Sequence, residues 1–342
     1  ERINAIGASY GTRAVLEYQR LFPQRVRRAV IDGVAPPDMV LPVSFSIDNQ
    51  AALEAVFVGC EKEDACRRRY PGLRDDWQRL LRSLPLVTTV QHPLSGREEQ
   101  LTLPRDAVLG AIRGPLYVPS LASGLPEAIH QAAQRRFSPL VGLSSALGGA
   151  GGGMATGMHF SVVCAEDAPR MANATDAAGM DFGGGFAAFY VKVCADWPRG
   201  QQPADFYRVG PAPSATLVLS GGADPATPPR HGERVTALLG AKARHVLVPQ
   251  AGHGTLALAC MRDAVVRFVD AASDEEALKV EATCAAGMPR PTVFVPLGAV
   301  GVLAMAILSI LWSQDEASSI LWLRSQGAVT LGITAMVIVL PT

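Results

Sequence analysis

Apolar and polar positions follow two regimes along this chain. At its start Ile3 to Ile6 form a short apolar run that ends in small residues, Gly7-Ala8-Ser9-Tyr10-Gly11. Such a run reads as the end of a buried strand. From Thr12 to Phe22 the period changes, with Ala14, Val15, Tyr18 and Leu21 at helical spacing. Arg28 to Gly33 reads as a second strand ending in a turn, and Pro36-Pro37 closes the unit. Strand, helix, strand in that order predicts a parallel sheet.

From Asp38 to Pro213 the pattern becomes helical. Asn49 to Gly59, Leu73 to Leu84, Arg105 to Arg113 and Leu125 to Arg136 carry a helical period, and little in this region reads as a core strand. Gly148 to Gly153 is a glycine run. The strand pattern returns at Ala215 to Ser220 and ends in the turn Gly221-Gly222-Ala223-Asp224-Pro225. A helix from Arg230 to Leu239, a strand from His245 to Val248, the loop Ala251-Gly252-His253-Gly254 and a helix from Leu256 to Ala271 follow. The expected organisation is sheet core over 1–37, helical insertion over 38–213, sheet core again over 214–291, and an apolar tail over 292–342. In the tail, Val293 to Trp312 is long enough to cross a bilayer. Ile320 to Leu340 is a second apolar stretch, interrupted by Arg324 and Gln326. One or two membrane spans, and membrane association through them, are therefore expected of the tail.

Composition narrows the function classes. Lys plus Arg and Asp plus Glu both number 31, so the net charge is zero and nothing points to nucleic acid. Six cysteines fall into three local pairs: Cys60 with Cys66, Cys164 with Cys194, and Cys260 with Cys284. None shows metal-ligand spacing, and no metal or other cofactor is expected. An even, locally paired set predicts disulfides and an extracytoplasmic location, secreted, periplasmic or membrane-anchored. Six buried free thiols are the alternative.

The chemistry is expected at Ser9. Gly7-Ala8-Ser9-Tyr10-Gly11 fits Gly-x-Ser-x-Gly, a strand-to-helix turn that lifts a serine hydroxyl above a sheet edge. Gly7 and Gly11 are expected to keep backbone clear where a Cβ would clash, and the Tyr10 N–H to face a developing oxyanion. A serine needs a base, and the base an orienting acid. Ser9, Asp224 and His253 occur in that order, each just past an expected strand, so all three should share one edge of the sheet. Asp32, which also follows a strand, is the rival acid. His92, His130, His159, His231 and His245 sit outside such a loop or within the insertion.

These motifs resemble the tripeptidyl aminopeptidase and proline iminopeptidase group of α/β hydrolases. The resemblance rests on Gly7 to Thr12, on Leu219 to Pro228, and on Gly252-His253-Gly254. Val163 to Asp167, Cys194 to Pro198, and Cys284 with Pro289-Arg290-Pro291 are similar to its secreted tripeptidyl aminopeptidase branch. It implies the C-terminal half of an α/β-hydrolase fold, a parallel sheet with a mostly helical lid, truncated before the family's Gly-rich oxyanion loop. It also implies a serine exopeptidase acting on peptides with a free N-terminus, in which Glu166 binds the substrate amine. An esterase on the same scaffold and an inactive membrane-tethered fragment are the alternatives.

Overall fold

The computed structural model describes residues 2–92, 95–148, 155–172 and 181–289. The apolar tail, with both expected membrane spans, lies outside the described residues. Among those described, no helix is long and apolar enough to cross a membrane.

The chain is an α/β protein. Four parallel strands run in the order β1 (Ile3–Ala8), β2 (Val26–Asp32), β5 (Thr216–Gly221) and β6 (Ala243–Val248). β3 (Leu86–Gln91) and β4 (Glu98–Leu103) form a separate antiparallel hairpin. Ile31 of β2 pairs with Gly7 on one side and Val218 on the other. β2 and β5 are buried almost throughout because helices cover both faces, as a parallel sheet requires. Successive strand residues alternate between faces. Ile31 and Val218 therefore join Val15, Leu16, Val235 and Leu239 on one side. Val30, Leu217 and Leu219 join Met261, Ala264 and Phe268 on the other. The covering helices are Tyr10–Leu21, Pro229–Leu239 and Ala259–Asp270. β1 is an edge of the described sheet, and its Ile3 and Ile6 are 47% and 53% exposed.

The insertion between β2 and β5 has its own core. Leu73, Trp77, Leu80 and Leu81 line one face of the helix Leu73–Arg82 and are buried. They pack in one cluster with Ile112, Leu125 and Ile129. The hairpin lies here, where helices alone are expected from the period. Its burial alternates, Val87 and Thr89 facing out, with Leu86 opposite Leu103 and Thr88 opposite Leu101, but the apolar Val87 on the outer face blurs that alternation in the sequence. Besides several short helices, three longer ones also escape the sequence reading: Ser138–Gly148, Thr156–Glu166 and Gly185–Asp196. Their apolar residues are spread around the helix, so no periodic stripe marks them. Packing decides instead, through Val163, Tyr190, Phe160 and Phe186.

All three cysteine pairs are bridged. Cα separations are 5.1 Å for Cys60–Cys66, 5.1 Å for Cys164–Cys194 and 6.3 Å for Cys260–Cys284. The second ties the helix that ends at Glu166 to Gly185–Asp196. Ion pairs hold the insertion on the core, Arg230 to Asp48 at 2.6 Å and Arg234 to Asp38 at 2.5 Å.

Candidate active site

Ser9 sits between β1 and the helix Tyr10–Leu21, at φ 54° and ψ −125°. A positive φ at a residue with a side chain costs about 1–3 kcal/mol and persists only where its surroundings enforce it. Three bonds do so. Ser9 N–H donates to the Asp32 carbonyl at 2.9 Å, Thr12 Oγ1 to the Ser9 carbonyl at 2.6 Å, and Ala35 N–H to Thr12 Oγ1 at 2.9 Å. A Cβ on Gly7 would lie 2.2 Å from the Gly11 carbonyl oxygen, so only glycine fits there. Gly11 differs from the expectation: a Cβ on it meets nothing within 4 Å. The steric demand falls on one side of the serine, because the tight approach is of Gly7 onto the Gly11 carbonyl. Tyr10 N–H is the first of its helix and has no carbonyl four residues back within it.

Asp224 and His253 meet where β5 and β6 end. His253 Nδ1 lies 2.9 Å from Asp224 Oδ2. With Nδ1–H donated to the carboxylate, Nε2 is left as the basic atom. Asp224 also accepts from Ala226 N–H and Thr227 N–H, both at 2.8 Å, and from Thr227 Oγ1 at 2.7 Å. Thr227 Oγ1 is 3.2 Å from His253 Nδ1 as well. Burial pushes the Asp224 carboxyl up, but His253 and the Thr227 donors outweigh it and hold it below its ordinary value. Burial pulls His253 down, and the bond and charge of Asp224, with the charge of Asp32, reverse that and raise it. Among the described residues no hydrogen bond joins Ser9 Oγ to His253, and such contacts often form only with substrate bound.

Two further residues hold the histidine loop. Asp32, fully buried, accepts from Thr255 N–H at 2.6 Å, Thr255 Oγ1 at 3.0 Å and Leu256 N–H at 2.9 Å. The rival acid thus faces the backbone beyond His253 rather than its ring. Its own carbonyl receives Ser9 N–H, so one residue fixes both the elbow and the base loop. Tyr117, from the insertion, accepts His253 N–H on its carbonyl at 3.0 Å. Its ring meets the imidazole edge-on at 5.1 Å between centroids. A Cβ on Gly252 would lie 2.3 Å from that carbonyl, which explains the glycine before the histidine. Burial pushes the Tyr117 phenol up to about 12.

Glu166 belongs to a buried cluster below the elbow helix. Its Oε2 accepts from Arg13 at 2.8 Å and its Oε1 from the Tyr10 hydroxyl at 2.8 Å. Arg13, fully buried, also reaches Asp167 at 3.1 Å and the carbonyls of Pro36 and Met39. Burial pushes Asp167 above the ordinary carboxyl value in spite of Arg13. Among the other histidines, His245 Nε2 bonds Ser220 Oγ at 2.9 Å, His159 Nε2 bonds the Tyr190 hydroxyl at 2.7 Å, and His130 Nδ1 bonds Asp76 at 2.6 Å. Among the described residues no group of three or more His, Cys, Asp or Glu side chains could hold a metal ion.

Sequence reasoning missed Arg13, Thr227 and Tyr117. Thr227 carried a faint signal, a hydroxyl three residues after an acid in a turn. Arg13 and Tyr117 carried none, since their partners lie in distant segments.

Comparison with known proteins bears on the same segment. No curated protein matches the chain. A solved structure, an α/β hydrolase enzyme called MGS-M2 from a Medee basin deep-sea metagenome library, aligns at 14% identity and a TM-score of 0.30. The alignment covers 78% of this chain and 63% of that one, so this chain spans less than two thirds of that enzyme. The family model of TAP-like proteins, Abhydrolase_4, matches residues 180–281, which contain Asp224 and His253, and this match supports the α/β-hydrolase superfamily and a hydrolase.

Proposed function

We propose that the protein is a serine hydrolase, an exopeptidase that releases residues or short peptides from free peptide N-termini. The observation that carries this reading is the hydrogen-bonded Asp224–His253 pair after β5 and β6, in the same parallel sheet whose β1 ends at a serine held at positive φ. In this reading Ser9 Oγ attacks the scissile carbonyl and His253 Nε2 takes its proton. Asp224 holds the imidazole in the tautomer that leaves Nε2 basic and stabilises the imidazolium that forms. Tyr10 N–H donates to the oxyanion. The proton on Nε2 passes to the leaving amine, and water then cleaves the acyl-enzyme by the same route in reverse. The insertion acts as the lid. The peptide's amine meets the lid carboxylate of Glu166, and the three disulfides suit an oxidising, extracytoplasmic compartment.

A second reading, an esterase on the same machinery, is favoured by the Glu166 contacts. Both of its oxygens already accept a bond within the protein, so an amine would be an additional partner. Two measurements separate the readings. A fluorophosphonate probe should label the protein at Ser9 and fail with Ser9→Ala; labelling that survives the substitution overturns the nucleophile. Paired chromogenic peptides, free or acetylated at the N-terminus, then decide: a peptidase of this kind prefers the free amine, an esterase does not.

A further inference from the structure

The insertion carries a partly open cavity of about 360 Å³ that the chemistry above does not use. That volume is within the range of small-ligand sites, about 300–1,000 Å³. Phe45, Phe186 and Phe189 wall it, and one side is the helix Arg105–Leu116. Four polar side chains, Ser46, Asn49, Asp106 and Arg113, break the apolar lining, and the chemistry of the last three selects an occupant.

Arg113 is the first. Its guanidinium carbon lies 4.0 Å from the centre of the Phe186 ring. Stacked on a ring face, a guanidinium keeps its N–H edge available for a planar, bidentate acceptor. Arg13, Arg170, Arg230 and Arg234, which also join the insertion to its surroundings, each reach a carboxylate. Among the described residues Arg113 has no carboxylate within 4.0 Å.

Asn49 is the second, and 3% exposed. Its Nδ2 donates to the Phe45 carbonyl, while its Oδ1 is buried without a partner. An orphaned amide oxygen in an apolar wall is costly, and a ligand N–H would satisfy it. Asp106 is the third. It rims the cavity two helical turns from Arg113, about 10 Å along the axis. Being exposed, it is screened by water, whereas Arg113 lies half-buried against the aromatic rings. Arg113 is therefore the less screened of the two charges.

The cavity also lies near the proposed chemistry. Tyr117 follows Arg113 by one helical turn on the same face, and its ring packs on His253 at 5.1 Å. The Arg113 end is thus the end nearer the base.

We propose that this cavity is a substrate subsite for an acidic side chain, its carboxylate paired with Arg113 and a peptide N–H donated to Asn49 Oδ1. The proposal rests on the peptidase reading. It is tested with peptidyl-nitroanilides that differ only by Glu or Gln at one acyl-side position, scanned outward from the scissile bond. At one position kcat/KM should favour Glu by at least about tenfold. Arg113→Gln should bring that ratio near one, and Arg113→Lys should restore part of it. A structural Arg113 would lower both substrates alike and leave the ratio unchanged, which overturns the proposal, as does a wild-type ratio of one at every position. Calorimetric titration of the same peptides into the Ser9→Ala protein separates the two readings. If no peptide is hydrolysed, Glu-selective binding lost in Ser9→Ala, Arg113→Gln upholds the subsite while the peptidase reading fails. Equal binding of Glu and Gln peptides removes the subsite alone.

Discussion

Two buried acid sites flank the elbow, and they use the same attraction for different ends. At one Asp224 pairs with His253; at the other Glu166 and Asp167 pair with Arg13. The first joins residues 29 apart in the chain, the second residues 153 and 154 apart. The difference lies in the cation. An imidazole exchanges its proton near neutral pH, so the first pair can do chemistry. A guanidinium stays charged, so the second holds geometry and exchanges no proton. It holds the helix behind the elbow onto Thr156–Glu166 of the insertion. Asp32 combines both aspects: its three hydrogen bonds are structural, and its charge acts on His253.

Substitutions sharpen this contrast. The largest effect is expected at the titrating pair. Asp224→Asn should lower kcat by about 10³–10⁴-fold while leaving the circular dichroism spectrum and urea midpoint nearly unchanged, since it mis-sets the tautomer without emptying the site. A loss of under tenfold would remove Asp224 from the mechanism.

The structural cluster should answer in stability. Arg13→Met strands two buried carboxylates, and breaking such a pair costs about 3–5 kcal/mol. Urea denaturation at pH 7 reads the loss, and adding Glu166→Gln should recover part of it. No recovery would mean that the guanidinium acts through packing rather than charge. The Cys164–Cys194 bridge supports the same seam. Replacing both cysteines by serine should cost about 2–4 kcal/mol in the same experiment, and an unchanged midpoint would mean that the seam holds without it.

Asp32 divides the two behaviours. Asp32→Asn keeps one amide oxygen for the Thr255 and Leu256 N–H groups but loses the second carboxylate acceptor and the charge, and kcat/KM should fall about 10–100-fold. Its charge helps to raise His253, so its removal lowers that pKa. The acid limb of the pH profile should move to lower pH. A limb that stays in place, with activity reduced at every pH, reduces Asp32 to a loop anchor.

The smallest expected effect is in the wild type. His253 must be neutral to act as a base, and its pKa is raised. The acid limb of kcat/KM should therefore have its midpoint above about 6.5, the ordinary imidazole value. A midpoint below that value contradicts the pairing with Asp224.

What the chain states locally was legible. β2, β5 and β6 and the helices beside them were readable because their signals, apolar runs, helical period and turn glycines, lie within a few residues of one another. The candidate residues Ser9, Asp224 and His253 could be singled out for the same reason, each in a short loop after a strand. The disulfide partners are also near in sequence, 6, 30 and 24 residues apart. Tertiary structure alone decided the rest. Arg13 meets Glu166 across 153 positions and Asp32 meets Thr255 across 223. No local pattern encodes such pairs, because their energy exists only once the sheet and insertion are packed. The same holds for Glu166. The sequence marks a carboxylate beside a cysteine, but whether its oxygens face a substrate or an arginine depends on which helix is packed against it.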